Sequence, residues 1–379
     1  MSTEDVDGSP VDFQSPSPAL YPGIALCLSG GGYRAMLFHA GALWRLNESA
    51  ILYRIDHFSS VSGGSIIAGL LALRWQKLDF RNGVATNLVE QVVEPIRRLA
   101  SSTIDVASIV EGLMTPGSIS NRVMDAYRLH LFGNHTLQDL PDTPRFVFNA
   151  TNVQSGVLWR FMKAYMRDYR VGEVKNPKVE LAVAVAASSA FPPFLSPVRL
   201  RLDPSDFSPP SQGEELLGDE FRRDVFLTDG GVYDNLGLET AWKRYQTILA
   251  SDAGGKMADV AFPKTDWARH SRRILDLVDN QVRALRKRQL LDSYRQGVRT
   301  GGYWGIRSDI ADFNLPDALP APHEQSMELA NLETRLAATP ASTQERLINW
   351  GYAVCDAAIR RHYDRSLPRP SGFPYAGGI

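Results

Sequence analysis

Apolar residues fall in two rhythms along this chain. Short unbroken apolar runs recur, and several are followed by stretches whose apolar residues repeat at helical spacing. Residues 23–29 form the first run and residues 51–61, rich in β-branched side chains, the second. Residues 145–153, 224–228, 247–251 and 301–307 read as further strands, and residues 157–162 as a pairing partner for 145–153. Unbroken apolar strands are those that lie buried on both faces of a parallel sheet. Helical spacing follows the first run at Met36, Leu37, Ala40, Leu43 and Leu46. It follows the second at Ile66, Ile67, Leu70, Leu71 and Leu73, extending to about Leu78. Residues 181–190 predict an alanine-rich, closely packed core helix that stops at Phe191-Pro192-Pro193. Another helix starts near Leu238, a long one spans 267–295, and an amphipathic one at 344–362 closes the domain. Strands alternating with helices predict an α/β fold.

Residues 1–20 are rich in Ser, Pro and Asp and are expected to be disordered. They have no basic end and no apolar run, so no signal peptide is expected there. One domain is then expected over 21–365, in which the loosely periodic, helical stretch 80–140 reads as an insertion or lid. Residues 203–219 are a polar, Pro-rich loop, and 366–379 a Pro/Gly tail.

Composition narrows the classes. The 379 residues include 41 Lys and Arg against 42 Asp and Glu, a net charge of −1, which argues against a nucleic-acid binder driven by counterion release. No apolar stretch reaches the roughly 18 residues that span a bilayer. The two cysteines, Cys27 and Cys355, sit in apolar runs and read as buried thiols, which suits the reducing cytoplasm. In that compartment the Asn-x-Thr sequons at Asn134 and Asn149 carry no meaning. There is no metal-ligand spacing of Cys and His, no repeat and no heptad pattern, and nothing fixes an oligomeric state. The 267–295 helix carries Arg269, Arg272, Arg273, Arg283, Arg286, Lys287 and Arg288. Such a surface suits either peripheral contact with an anionic membrane or a solvated face balanced by Asp276, Asp279 and Asp292.

Three strand ends carry candidate chemistry. The first run ends in Gly30-Gly31-Gly32, with Arg34 in the first turn of the following helix. Contiguous glycine N–H groups beside a helix N-terminus form an anion-binding loop. The spacing matches neither a dinucleotide fingerprint nor a P-loop. The second run ends in Ser60-Val61-Ser62-Gly63-Gly64, nearly the small-x-Ser-x-Gly of a nucleophile elbow, with Ser60 where glycine is usual. The 224–228 strand ends in Asp229-Gly230-Gly231, a carboxylate with the backbone folded tightly behind it. Each pattern has an ordinary reading as a capped or tight turn. Acyl transfer needs a nucleophile, a base and donors for an oxyanion. Ser62 supplies the first and the glycine loop the third, while the base is a histidine or Asp229. A Ser-His-Asp esterase needs a histidine in a loop after the acid. His270 and His362 fall in helical runs, His323 in a Pro-rich loop, and His39 and His57 read as structural. The other alternative is a non-catalytic anion-binding protein built on the glycine loop.

The sequence resembles the patatin-like phospholipases. The resemblance rests on Ser29-Gly30-Gly31-Gly32-Tyr33-Arg34-Ala35, the elbow at Ser62, Ala187-Ser188-Ser189-Ala190-Phe191-Pro192-Pro193 and Asp229-Gly230-Gly231. It runs from about Gly23 to Gly255, and residues 344–358 look like the bacterial members. It implies a three-layer α/β/α fold with a central, mostly parallel sheet and helices on both faces. It also implies a Ser62–Asp229 dyad without histidine, an oxyanion hole at Gly30, Gly31 and Gly32, and Arg34 beside it binding substrate. The implied substrate is a phospholipid or other lipid ester cleaved through an acyl-enzyme, with no metal and no cofactor. Aspartate is a weak base, so this mechanism requires its pKa to be raised or its partner to be held close.

Overall fold

Strand β1 (Tyr21–Leu28) alternates its side chains between two cores. Leu26 and Leu28 enter one apolar cluster, Ala25 and Cys27 the other, so the strand is covered on both faces. The computed structural model describes residues 19–104, 118–192, 195–211, 213–257 and 259–379. Most of the expected disordered segment (1–18), part of the expected insertion (105–117) and Pro193 lie outside the described residues.

After β1 come α1 (Gly32–Glu48), β2 (His57–Val61) and α2 (Gly63–Arg74). A small hairpin, β3 (Phe80–Arg81) and β4 (Val84–Ala85), leads to α3 (Glu94–Ala100) and α4 (Ser118–Tyr127). Strand β5 (Arg145–Asn152) opens a meander through β6 (Leu158–Phe161), β7 (Tyr165–Asp168) and β8 (Gly172–Lys175). Helix α5 (Leu181–Ser188), β9 (Val198–Arg201), α6 (Asp219–Arg222) and β10 (Asp224–Asp229) follow. The chain then runs through α7 (Gly231–Asp234), α8 (Glu239–Trp242), β11 (Tyr245–Asp252), α9 (Trp267–Arg295) and β12 (Thr300–Gly305) to α10 (His323–Ala330) and α11 (Ala341–Ala358).

The sheet order is β12-β11-β1-β2-β5-β6-β7-β8. Its first five strands are mutually parallel, the expected α/β centre. From β5 onward the pairings are antiparallel, and β10 adds to β5 with β9 outside it. Helices α1, α2 and α11 cover one face. Helix α8 and Leu290 of α9 cover the other. Helix α11 crosses α1 at two glycines. A β-carbon on Gly41 would lie 1.8 Å from the Ile348 carbonyl oxygen, and one on Gly351 would lie 1.9 Å from that of Phe38. The backbones touch there, and this contact fixes the helix that starts at the glycine loop.

Element limits differ from the sequence reading in physical detail. Residues 52–54 form a 3₁₀ turn that buries Leu52, and extended pairing starts only at His57. Helix α2 ends at Arg74 and tightens into a 3₁₀ turn over Trp75–Lys77. Within 80–140, Val92, Val93, Ile96, Leu99, Tyr127 and Phe132 are buried in the main core. The Pro/Gly tail lies against α11, where the Asn349 amide donates to the carbonyls of Tyr375 and Gly378 at 2.8 and 2.7 Å.

Candidate active site

The turn from β1 into α1 takes the backbone through Gly31 at φ 147° and Gly32 at φ 60°, conformations that side chains resist. Space is short as well: a β-carbon on Gly32 would lie 2.5 Å from the Arg335 carbonyl oxygen. The Gly30 N–H donates to the Asn235 carbonyl at 3.1 Å. The Gly31 and Gly32 N–H groups stand at the head of α1, where a helix leaves its first donors without intrahelical acceptors. Of the three glycines expected to stabilise an oxyanion, Gly31 and Gly32 therefore keep available donors, and Gly30 instead shapes the loop.

The turn from β2 into α2 puts Ser62 at φ 51°, ψ −120°, a sparsely populated conformation for a residue with a β-carbon. The turn is tight enough that β-carbons on Gly63 and Gly64 would come within 2.1 Å of the Gly32 carbonyl oxygen and 2.4 Å of that of Leu28. Ser60, where glycine is usual, lies inside β2 with ordinary backbone angles. Its hydroxyl donates to the Val147 carbonyl at 3.1 Å. The positive φ falls on Ser62 itself, so serine at position 60 adds no strain to the turn.

Sheet register brings the third strand end to the second. Along one edge of β5, β2 pairs up to Val61 opposite Asn149. Strand β10 runs in from the other direction and ends with Asp229 opposite Ala150. The two strands thus meet end to end on the same edge, and Ser62 and Asp229 lie side by side. A β-carbon on Gly30 would come 3.1 Å from that of Ser62, so the glycine loop adjoins both. Ser188, at the end of α5, locks the junction. Its carbonyl accepts from the N–H groups of Ser62 at 3.1 Å and Gly230 at 3.2 Å, and its hydroxyl donates to the Asn149 carbonyl at 2.6 Å.

Sequence reasoning read α5 as core packing and missed this role for Ser188. The signal was there, in two serines closing an otherwise apolar helix. Asn235 was missed too. Its carbonyl holds Gly30, and its side-chain oxygen would lie within 2.6 Å of a β-carbon on Gly231.

Asp229 is buried. Its Oδ1 accepts from the Gly231 N–H at 2.7 Å. Burial pushes its pKa up to about 7, partly offset by the Gly231 N–H and the Ser62 hydroxyl and reinforced by the negative charge of Asp279. Ser62 is near enough to favour the carboxylate, yet Oδ2 makes no hydrogen bond of regular geometry. The two groups adjoin without a fully formed bond, as is common before substrate binds.

None of the seven histidines hydrogen-bonds to Ser62 or Asp229. His39 lies between the Ser251 hydroxyl at 2.8 Å and the Ser29 carbonyl at 2.9 Å, and burial lowers its pKa to about 4. His57 contacts the Thr240 hydroxyl at 3.2 Å, and burial lowers it to about 3. Arg34 is buried, and its guanidinium donates to the carbonyls of Leu332 and Ala253. Burial, then Arg307 and Arg283, lower its pKa to about 10. It braces the loops around Gly31, with its hydrogen bonds to those two carbonyls. Among the described residues no His, Cys, Asp and Glu side chains converge as a metal-binding group.

A family profile described as Patatin-like phospholipase matches residues 26–242, more than half of the chain. A comparison with curated protein sequences gives no match. Among solved structures, human GIVD cytosolic phospholipase A2 aligns with a TM-score of 0.51 at 14% identity, covering 89% of this chain and 58% of that one. The same human protein in complex with methyl gamma-linolenyl fluorophosphonate gives a TM-score of 0.52 at 14% identity, covering 89% of this chain and 57% of that one. The chain thus spans under two thirds of the length of these structures, and at this identity the likeness is one of fold. With the glycine loop, the Ser62 turn and the Asp229 strand end all inside the matched residues, the chain belongs to the patatin-like phospholipase family.

Proposed function

We propose that the protein is a serine lipid acyl hydrolase of the phospholipase A type, using Ser62 as nucleophile and Asp229 as general base. The observation that carries this reading is the end-to-end meeting of β2 and β10, which juxtaposes a strained serine and a buried aspartate with a pKa near 7. Asp229 takes the Ser62 proton as the serine oxygen attacks the ester carbonyl. The new oxyanion accepts hydrogen bonds from the N–H groups of Gly31 and Gly32 at the positive end of α1. Asp229 then protonates the departing alcohol. Water, deprotonated by the same carboxylate, cleaves the acyl-enzyme and releases a fatty acid. An aspartate near pKa 7 exchanges this proton efficiently at neutral pH, which an ordinary one does not.

The substrate class rests on family membership and on the fold shared with a phospholipase crystallised with a lipid-like fluorophosphonate. Both cysteines are free and buried, which suits action from the reducing cytoplasm. Two measurements test the reading. Incubation with mixed phospholipids, followed by mass spectrometry, is expected to show free fatty acid and lysophospholipid with the wild type and neither with Ser62→Ala. A fluorophosphonate probe is expected to label Ser62 alone. Label on another serine, or lipid cleavage that survives Ser62→Ala, overturns it.

A further inference from the structure

The molecule has an apolar, cationic corner that the acyl-transfer chemistry does not use. Between β11 and the middle of α9, Phe262, Trp267 and Leu275 are 89%, 83% and 67% exposed, with Ile274, Leu277 and Val278 also exposed. In α9, Trp267, Ile274, Val278 and Leu285 recur at spacings of seven and four, so they share one face of the helix. Residues 256–288 hold nine Lys or Arg against four Asp, in a chain whose net charge is −1. Part of this charge is internal: Arg269 pairs with Asp266, Arg283 with Asp279 and Arg286 with Glu239. Of the other cations, Lys287 lies over the Tyr303 ring, while Lys256, Lys264 and Arg288 are exposed.

This corner adjoins the candidate active site. Arg283 of α9 donates to the Gly255 carbonyl. A β-carbon on Gly254 would touch both the Arg283 guanidinium and the Asn235 amide at 2.9 Å, and Asn235 in turn holds Gly30. Asp279 is close enough to raise the pKa of Asp229. Helix α7, which begins just after Asp229, packs on α9 and exposes Val232. Phe191 is exposed beside Ala190, whose carbonyl accepts from the Asp229 N–H.

Accepting the proposed lipid substrate, we infer that the outer face of α9 and the 259–266 segment before it dock on an anionic phospholipid bilayer. Large apolar side chains flanked by lysine and arginine match an interfacial helix, whose apolar face enters the acyl boundary while its cations meet lipid phosphates. A second copy is the poorer occupant, because two such faces would set one cationic surplus against another. Among the described residues no helix is long and apolar enough to cross a membrane, so α9 lies on the bilayer. Docking there brings the exposed Val232 of α7, three residues after Asp229, to the lipid surface, and an acyl chain reaches the site without crossing water.

The test uses the Ser62→Ala protein and vesicles of phosphatidylcholine, alone or with phosphatidylglycerol. Co-sedimentation is expected with the mixed vesicles and much less with phosphatidylcholine alone. Adding Phe262→Ser with Trp267→Ser, or Lys264→Glu with Arg273→Glu, is expected to cut binding to mixed vesicles by roughly tenfold or more. With Ser62 intact, the same pairs are expected to keep hydrolysis of a soluble short-chain ester within about twofold of wild type while vesicle hydrolysis falls by that tenfold or more. Undiminished vesicle binding by both pairs overturns the inference, as does failure of the unaltered face to bind mixed vesicles. So does a dimer in sedimentation velocity that both pairs dissociate. If the protein cleaves no ester at all, the proposed function fails, and vesicle binding still decides the docking face.

Discussion

At the carboxyl ends of two adjacent parallel strands, β1 enters α1 through three glycines, and β2 enters α2 through Ser62-Gly63-Gly64. Both turns force positive φ on the backbone. In the first it falls on Gly31 and Gly32, which adopt it freely; in the second it falls on Ser62, at a cost on the order of 1–3 kcal/mol. The difference follows from what each turn delivers. The glycine loop presents backbone N–H groups and needs no side chain. The Ser62 turn presents a hydroxyl, so the strained position cannot be glycine. The surroundings hold the strain in place: Ser188 binds the Ser62 N–H, and Gly63 lies against the Gly32 backbone. The two turns therefore support each other, and a side chain at either contact would move both.

Four experiments break or sharpen this contrast. The largest effect is expected from Asp229→Asn, which leaves the Ser62 turn intact but removes the proposed proton acceptor. Turnover falls by roughly 10³-fold or more, and fluorophosphonate labelling of Ser62 slows with it. Wild-type activity is expected to follow an acid limb with a midpoint near pH 7, rising as Asp229 loses its proton. The same shift acts on stability with a definite sign. Burial raises the folded-state pKa from the ordinary 3.8 to about 7, so ionising Asp229 costs the folded state. Wild type therefore loses stability relative to Asp229→Asn between about pH 4 and 7, and above that the variant is the more stable by on the order of a few kcal/mol. Urea melts at pH 4 and pH 8 check this, and equal stability at both rejects the shifted base.

Next is Gly32→Ala, which places a β-carbon against the Arg335 backbone at φ 60°. Displacing one oxyanion donor is expected to lower turnover by about 10²-fold. Gly156→Ala is the control, with φ 75° and nothing within 4 Å, and should cost stability alone. A Gly32→Ala enzyme with normal turnover would detach the glycine loop from the chemistry.

A smaller effect distinguishes Ser62→Gly from Ser62→Ala. Both are expected to be inactive, but glycine relieves the positive φ, so Ser62→Gly is expected to be the more stable by about 1 kcal/mol and to unfold at higher denaturant. Equal midpoints would mean that the turn is unstrained.

The smallest effect is expected at His39 and His57. Burial makes both neutral, whereas burial of Asp229 raises its pKa to about 7, as a base at neutral pH requires. Folded His39→Gln and His57→Gln proteins should keep activity within about tenfold of wild type, whereas losing a true base costs about 10²-fold or more. A loss of that larger size in either folded variant would return a histidine to the mechanism.

Much of the site could be read from the chain because its signals are local. Three contiguous glycines after an apolar run, a serine between small residues and an aspartate before two glycines are each set by sterics within a few residues of backbone. The family resemblance then gave them an order. Ser188 and Asn235 were less legible because they act through carbonyls, which any residue type supplies, and only their partners reveal them. The family resemblance implies a substrate contact at Arg34, beside the glycines. The fold adds what position along the chain does not carry, namely its hydrogen bonds to Leu332 and Ala253.

By itself, the sequence determined the parallel α/β centre and the three turns, since hydrophobic period and glycine sterics act over one or two elements. Tertiary structure alone decided that β10 runs antiparallel on the edge of β5 that β2 vacates, so that two strand ends distant in sequence face each other. It also decided that Asp229 is buried there with its pKa near 7, because desolvation depends on everything packed around the carboxylate and not on its neighbours in the chain.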